Sequence, residues 1–153
     1  GVCHGLSPEG HSGLRSLSDS SCQLQGGSRV LLNKDQQFGQ TSEAIAADYL
    51  QRNGYRILVR NYRTKLGEID LIGRDGDTLA FIEVKARRSA RYGNPKYAVN
   101  RWKQKKISMA ALTYLKSTKQ MHVRARFDVL AILSRTPPPQ IELIKNAFEL
   151  AYR

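Results

Sequence analysis

The chain has 153 residues, 17.2 kDa in all, and 41% of them are hydrophobic, enough for one globular domain. Lys and Arg number 25 against 13 Asp and Glu, a formal net charge of +12. No apolar run approaches the roughly 18–20 residues of a membrane span, and two cysteines, Cys3 and Cys22, cannot form a disulfide framework, so a reducing cytoplasmic setting is expected.

Residues 1–37 carry three basic and three acidic side chains, and 13 of the 37 are Gly or Ser. They show no sustained helical or strand period and no apolar signal-peptide core. They read as a disordered leader or an expression remnant, because they cannot bury enough apolar surface to offset chain entropy. Residues 38–153 form the folded part and carry the whole charge excess, 22 basic against 10 acidic residues.

Within that part, Gly39–Asn53 reads as a helix, with Thr41 or Ser42 as cap, and Ile45/Tyr49 and Ala46/Leu50 as apolar i, i+4 pairs. Asn53-Gly54 stops it. Tyr55–Arg63 and Glu68–Arg74 read as strands, and Asp75-Gly76-Asp77 as a hairpin turn leading into a third strand, Thr78–Lys85. Arg87–Asn94 is a loop. Pro95 suits a first helical position, and the helix is expected to run to Ser117 with Ile107, Ala110, Ala111, Tyr114 and Leu115 inward. Val123–Leu133 is a strand, Pro137–Pro139 break the chain, and Ile141–Ile144 is a short last strand. The order α-β-β-β-α-β-β is that of a mixed α/β domain, a β-sheet flanked by helices.

The charge is concentrated. No acid lies between Glu83 and Asp128, while 13 Lys and Arg do, nine of them in Lys85–Lys106. A solvated face is the ordinary reading of a charge run, but one so one-sided repels itself unless an anion compensates it, which points to a polyanion. Nucleic acid fits better than an anionic membrane, because no amphipathic Trp/Phe/Leu face accompanies the charges. Arg87, Arg88 and Arg91, with Lys103, Lys105 and Lys106, are the candidate phosphate contacts. Trp102, with Tyr92 and Tyr97, offers rings for base stacking or for packing.

One constellation carries chemistry. Along the third strand, Leu79, Phe81, Glu83 and Lys85 share a face, and Ala80, Ile82 and Val84 share the other. A two-residue turn sets Asp70 opposite Phe81, diagonal to Glu83. A four-residue loop sets it directly opposite Glu83. Either brings the carboxylates onto one face, and a three-residue loop breaks the parity. Two carboxylates can hold Mg²⁺ or Mn²⁺ and leave room for water and phosphate, and Lys85 points into the same space. Glu-x-Lys alone is more often a plain salt pair; Asp70 on the paired strand and the basic segment beyond favour the site reading. Asp128 reads as structural, bonded to Arg126 or backbone. Zinc spacing, a cysteine nucleophile in the folded part and a phosphate-binding Gly-x4-Gly-Lys loop are all missing.

At Gly67-Glu-Ile-Asp-Leu-Ile72 and Phe81-Ile-Glu-Val-Lys-Ala-Arg87 the chain resembles the PD-(D/E)xK, or restriction-endonuclease-like, nucleases. It is most similar to the YraN-like uncharacterised family, related to archaeal Holliday-junction resolvases. The likeness extends to Gly39…Glu43-Ala44, Arg60-Asn61-Tyr62-Arg63, Arg126-Phe127-Asp128-Val129 and Asn146-Ala147-Phe148. Ile69 stands where the motif's name has proline. The resemblance implies a restriction-endonuclease-like core across residues 38–153. It implies Asp70 and Glu83 as metal ligands, Lys85 as the catalytic lysine, Glu43 as an extra acid at the metal, and Gln104 as a polar helix position at the site. The function expected is Mg²⁺- or Mn²⁺-dependent endonucleolytic hydrolysis of nucleic acid, DNA ahead of RNA, selective for structure over sequence, with no membrane role and a homodimer left open. The alternatives are a nucleic-acid-binding protein of the same fold without efficient catalysis, and a basic adaptor on RNA-protein assemblies.

Overall fold

The computed structural model describes residues 34–88, 99–135 and 137–151. The first 33 residues of the expected leader therefore lie outside the described residues, as do Arg91, Tyr92, Pro95 and Tyr97. Helix α1 spans Lys34–Arg52, strands β1 Arg56–Arg63, β2 Glu68–Asp75 and β3 Thr78–Arg87, helix α2 Arg101–Ser117, and strands β4 Ala125–Leu133 and β5 Gln140–Phe148. The expected order α-β-β-β-α-β-β holds. The five strands lie in the order β1-β2-β3-β4-β5. Every neighbouring pair is antiparallel except β3 and β4, which run parallel and are joined by the crossover through α2. Among the described residues, no helix is long and apolar enough to cross a membrane.

The sheet has an apolar face on each side, and each face is covered by one helix. Ala46, Ala47 and Leu50 of α1 bury against Tyr55, Leu71, Ala80, Ile82, Leu130 and Ile132. Ile107, Ala110, Ala111, Tyr114 and Leu115 of α2 bury against Ile72, Leu79, Phe81, Phe127 and Val129. Phe81 anchors the second layer, edge-on to Tyr114 at 6.0 Å between ring centres and tilted against Phe127 at 5.7 Å. β3 lies at the centre of the sheet and is apolar on both faces until Glu83. That is why its period was readable and why the two carboxylates come at its end.

Several boundaries differ from the sequence reading; β3 runs two residues further, to Arg87, and one end each of α1, β1 and β2 shifts by one residue. Helix α1 begins at Lys34, so residues 34–37 belong to it and not to the leader, and Thr41 and Ser42 are interior positions rather than caps. Nothing in Lys34–Gln40 except Gly39 opposes a helix, and one glycine costs only about 1 kcal/mol. Helix α2 starts at Arg101 rather than Pro95. Asn100 is extended, with φ −69° and ψ 164°, and its side chain accepts the Lys103 N–H at 2.9 Å, a standard N-cap. Strand β5 is nine residues rather than four. It continues past a bulge where Asn146 has φ 53° and donates its N–H to Asp128 Oδ1 at 2.9 Å. Strand β4 begins at Ala125 instead of Val123.

Asp128 is fully buried and its charge is met on every side. Arg126 Nε donates to both its oxygens at 3.0 Å, and Tyr55 Oη donates to Oδ2 at 3.2 Å. Arg126 also reaches Asp75 at 2.6 Å, where Lys145 joins at 2.8 Å. The structural reading of Asp128 is correct: paired with Ile82 in mid-sheet, it ties Tyr55, just before β1, to β4 and β5.

Candidate functional site

The β2–β3 hairpin turns through Gly76 at φ 58°, and Asp75 pairs with Thr78. The ladder runs back from there to Leu71 opposite Ile82, where the regular pairing ends. One step further that register sets Asp70 opposite Glu83, and it does so with a two-residue turn, Gly76-Asp77: the turn sits one residue later than an Asp75-Gly76 turn would, so the pairing with Phe81 expected of a two-residue turn does not occur. Strict alternation nevertheless breaks at this step. Ile69 and Ile72 both pack in the α2 layer, while Leu71 packs in the α1 layer. Across β1, Asn61 occupies the matching position with φ 52°. β1 breaks alternation at the same level, Val59 and Tyr62 both packing against the α2 layer although three residues apart. The carboxylate of Asp70 then takes the role of a ladder group: its Oδ2 accepts the Val84 N–H at 2.8 Å.

Glu83 is 3% exposed. Its Oε1 meets Lys85 Nζ at 2.6 Å and Lys103 Nζ at 3.6 Å. Among the described residues its buried Oε2 has no hydrogen-bond partner. A buried unpaired carboxylate oxygen is costly, and native structures hold few such atoms without a functional reason. Burial raises the Asp70 carboxyl, and the Glu83 charge adds to the rise. The Val84 N–H and Lys103 oppose them, the Glu43 charge adds again, and the result is about 7. Burial pulls the Lys103 ammonium down, but Glu83 and Glu68 outweigh it and hold it above its ordinary value. The site is thus two carboxylates forced together at the mouth of a hydrophobic hairpin and compensated by two lysines.

This donor set fits a hard divalent cation. Asp70 is held by one backbone bond, Glu83 offers an uncommitted oxygen, and one or two carboxylates suffice for Mg²⁺ with water and phosphate completing the shell. Among the described residues no three His, Cys, Asp or Glu side chains gather into a ready cage. Glu43 stands at the margin: its Oε2 accepts Asn61 Nδ2 at 2.8 Å, and its charge is felt at Asp70.

Of the other candidates, Gln104 is committed elsewhere, donating Nε2 to the Val99 carbonyl at 2.8 Å, so it braces the start of α2. Arg87 ends β3 and Arg88 follows it, both beyond Lys85 along the chain. Lys105 is exposed, and Lys106 Nζ lies 5.5 Å from the centre of the Trp102 ring. Lys103, expected as a phosphate contact, lies inside the carboxylate cluster, and its second partner Glu68 (3.3 Å) was not expected there at all. A signal for this existed. Helix α2 opens with Arg101 and Lys103 and has no acid in its first turn, against the preference of the helix dipole. Cations at that end call for an anion facing them, and Glu83 and Glu68 supply it.

The profile of the Uncharacterised protein family UPF0102 matches residues 42–132, which include all of Glu43, Asp70, Glu83, Lys85 and Lys103. The chain belongs to the UPF0102 family. It is 50% identical over 119 residues to a UPF0102 protein of Desulfosudis oleivorans, covering 78% of this chain and 95% of that one. It is 52% identical over 114 residues to a UPF0102 protein of Geobacter metallireducens, covering 74% and 93%. A UPF0102 protein of Clostridium kluyveri is 48% identical over 120 residues, covering 77% and 97%. The YraN-like resemblance read from the motifs is borne out at the level of the UPF0102 family. The names of these relatives state no activity, so the reaction has to be argued from the site.

Proposed function

We propose that this UPF0102 protein is a Mg²⁺- or Mn²⁺-dependent endonuclease that hydrolyses DNA phosphodiester bonds and selects structure over sequence. The observation that carries the reading is the buried, unpartnered Oε2 of Glu83 beside an Asp70 carboxyl raised to about 7. Two carboxylates held together at that cost make sense when a cation is their partner. Asp70 and Glu83 would hold the ion. Such an ion, when bound, neutralises phosphodiester charge and makes water more acidic.

The remaining steps belong to the chain. The Val84 N–H fixes the direction of Asp70. Lys85, 30% exposed, can swing from Glu83 toward a phosphate. Its ammonium then orients the attacking water or offsets charge developing on the phosphoryl oxygens. Lys103 keeps Glu83 and Glu68 compensated while no phosphate is present. The charge of +12 supplies sequence-independent attraction to the backbone. A second reading is a binding protein of the same fold without turnover. It draws support from the two lysines on Glu83, which compensate that carboxylate without any metal ion.

The test is a panel of duplex, flap, fork, junction and single-stranded DNA with Mg²⁺ or Mn²⁺, using the full chain and Glu83→Gln. Cleavage by the parent and none by Glu83→Gln is expected. Equal cleavage by both overturns the site. Binding of DNA with no cleavage of any substrate moves the protein to the second reading.

A further inference from the structure

The β1–β2 turn and the first turns of α2 enclose a groove of about 290 Å³ lined by Arg63, Lys65, Gly67, Trp102, Lys103 and Lys106. Its floor is rigid. The Thr64 hydroxyl caps the turn, accepting the N–H groups of Leu66 and Gly67 at 3.1 Å each. The turn's backbone is pressed against α2, so that a Cβ on Gly67 would stand 2.2 Å from the Lys106 carbonyl oxygen. Into this groove projects Trp102, the sole tryptophan of the chain, 68% exposed. Lys106 lies over the ring, and of the eight lining residues four are cationic and one, Glu68, is acidic, 3.9 Å from Arg63 and 3.3 Å from Lys103. An aromatic ring open to solvent within a cationic groove is the arrangement that stacks a nucleobase and holds its phosphates. Lys103 is shared: it lines the groove and also stands 3.6 Å from Glu83.

We infer that this groove is a subsite for an unpaired nucleotide, whose base stacks on Trp102 and whose phosphates are held by Arg63, Lys65 and Lys106. It rests on the reading of Asp70 and Glu83 as a phosphodiester site, and it names the substrate class: DNA with an unpaired nucleotide beside the scissile bond. In a continuous duplex both faces of every internal base are already stacked, so none is available to the ring.

The single tryptophan makes the subsite directly observable. The full chain is titrated without divalent ion against oligo(dT) of about 12 nucleotides, within the usual span of single-strand sites, and against a blunt duplex of equal length. Trp102 emission and the anisotropy of labelled DNA are followed together. Saturable quenching by oligo(dT), with little quenching by bound duplex, is expected. Trp102→Ala should weaken oligo(dT) binding roughly 5- to 100-fold and duplex binding by about twofold at most, and Trp102→Phe should restore most of the loss. Circular dichroism of each variant confirms the fold. Oligo(dT) binding that leaves the emission unchanged, or equal affinity of Trp102→Ala and parent, overturns the subsite. Quenching as expected with no cleavage of any substrate keeps the subsite and removes the nuclease reading. Cleavage without quenching does the reverse.

Discussion

Asp70 and Val84 are joined by a 2.8 Å bond from backbone N–H to carboxylate, at the point where the β2–β3 ladder has ended. A side chain thus completes a strand pairing, and its direction is set by the sheet rather than by a rotamer choice. The same bond keeps a negative group beside Glu83 that would otherwise turn toward water. Preorganisation of this kind has a stability cost, because like charges are held together out of solvent.

Asp70→Asn should therefore separate stability from activity. The amide oxygen can still accept the Val84 N–H, and the repulsion with Glu83 is gone. The variant is expected to melt no lower than the parent at pH 7 and to lose metal-dependent cleavage. Thermal denaturation beside the cleavage assay checks both; a variant melting several degrees lower would show that the charge is stabilising.

Lys85→Ala should leave the carboxylates in place and remove the mobile ammonium. Divalent-ion binding by calorimetry should persist, while turnover falls by about 10²-fold or more if the ammonium offsets developing charge. Loss of ion binding in this variant would assign Lys85 to the carboxylates alone.

The opposite end of the sheet predicts the acid limit of the fold. Hydrogen bonds from Lys145 and then Arg126 hold the Asp75 carboxyl down at about 2, below the ordinary value near 4. A lowered carboxyl contributes stability that is complete above pH of about 4 and is lost as pH falls toward 2. Asp75→Asn should be less stable than the parent at pH 7, and the gap should close by pH of about 2. Urea melts of both proteins at several pH values measure it. A gap independent of pH would remove the charge from the account.

Gly67→Ala adds a methyl group where the Lys106 carbonyl already stands. Both partners are backbone, so the turn must lift from α2. A loss of about 1–3 kcal/mol is expected, the range of overpacking. A denaturant melt of unchanged midpoint would show that the turn is free to move.

Replacing Arg87, Arg88 and Arg91 together by Ala should weaken binding to every DNA sequence tested. It should also flatten the log–log salt dependence by about 0.9 for each phosphate that is no longer neutralised. An unchanged slope would take that end of the hairpin out of the interface.

How much of this could be read in advance depended on range. The β3 period was legible because Leu79, Ala80, Phe81 and Ile82 are buried on both faces and polar residues begin only at Glu83. The Asp-Gly turn limited the register to a few choices, each of which changed what Asp70 faced. The break in alternation was not legible. It occurs in β1 and β2 at one level, beside a left-handed Asn61, and asparagine adopts that conformation only occasionally. The place of Lys103 in the cluster depends on how a crossover helix docks across the sheet, which no local pattern encodes. Helix α2 begins later than Pro95 predicts, because the cap is made at Asn100.

The parallel pairing of β3 with β4 has a further consequence for the order in which the site is assembled. Asp70, Glu83 and Lys85 all lie on one hairpin, Glu68–Arg87, which closes by local contacts. Lys103 arrives only after the chain has crossed over and α2 has docked, a slower, long-range event. Compensation of Glu83 by Lys103 is therefore a tertiary contact, present only where α2 is docked on the sheet, whereas its contact with Lys85 is built into a single strand.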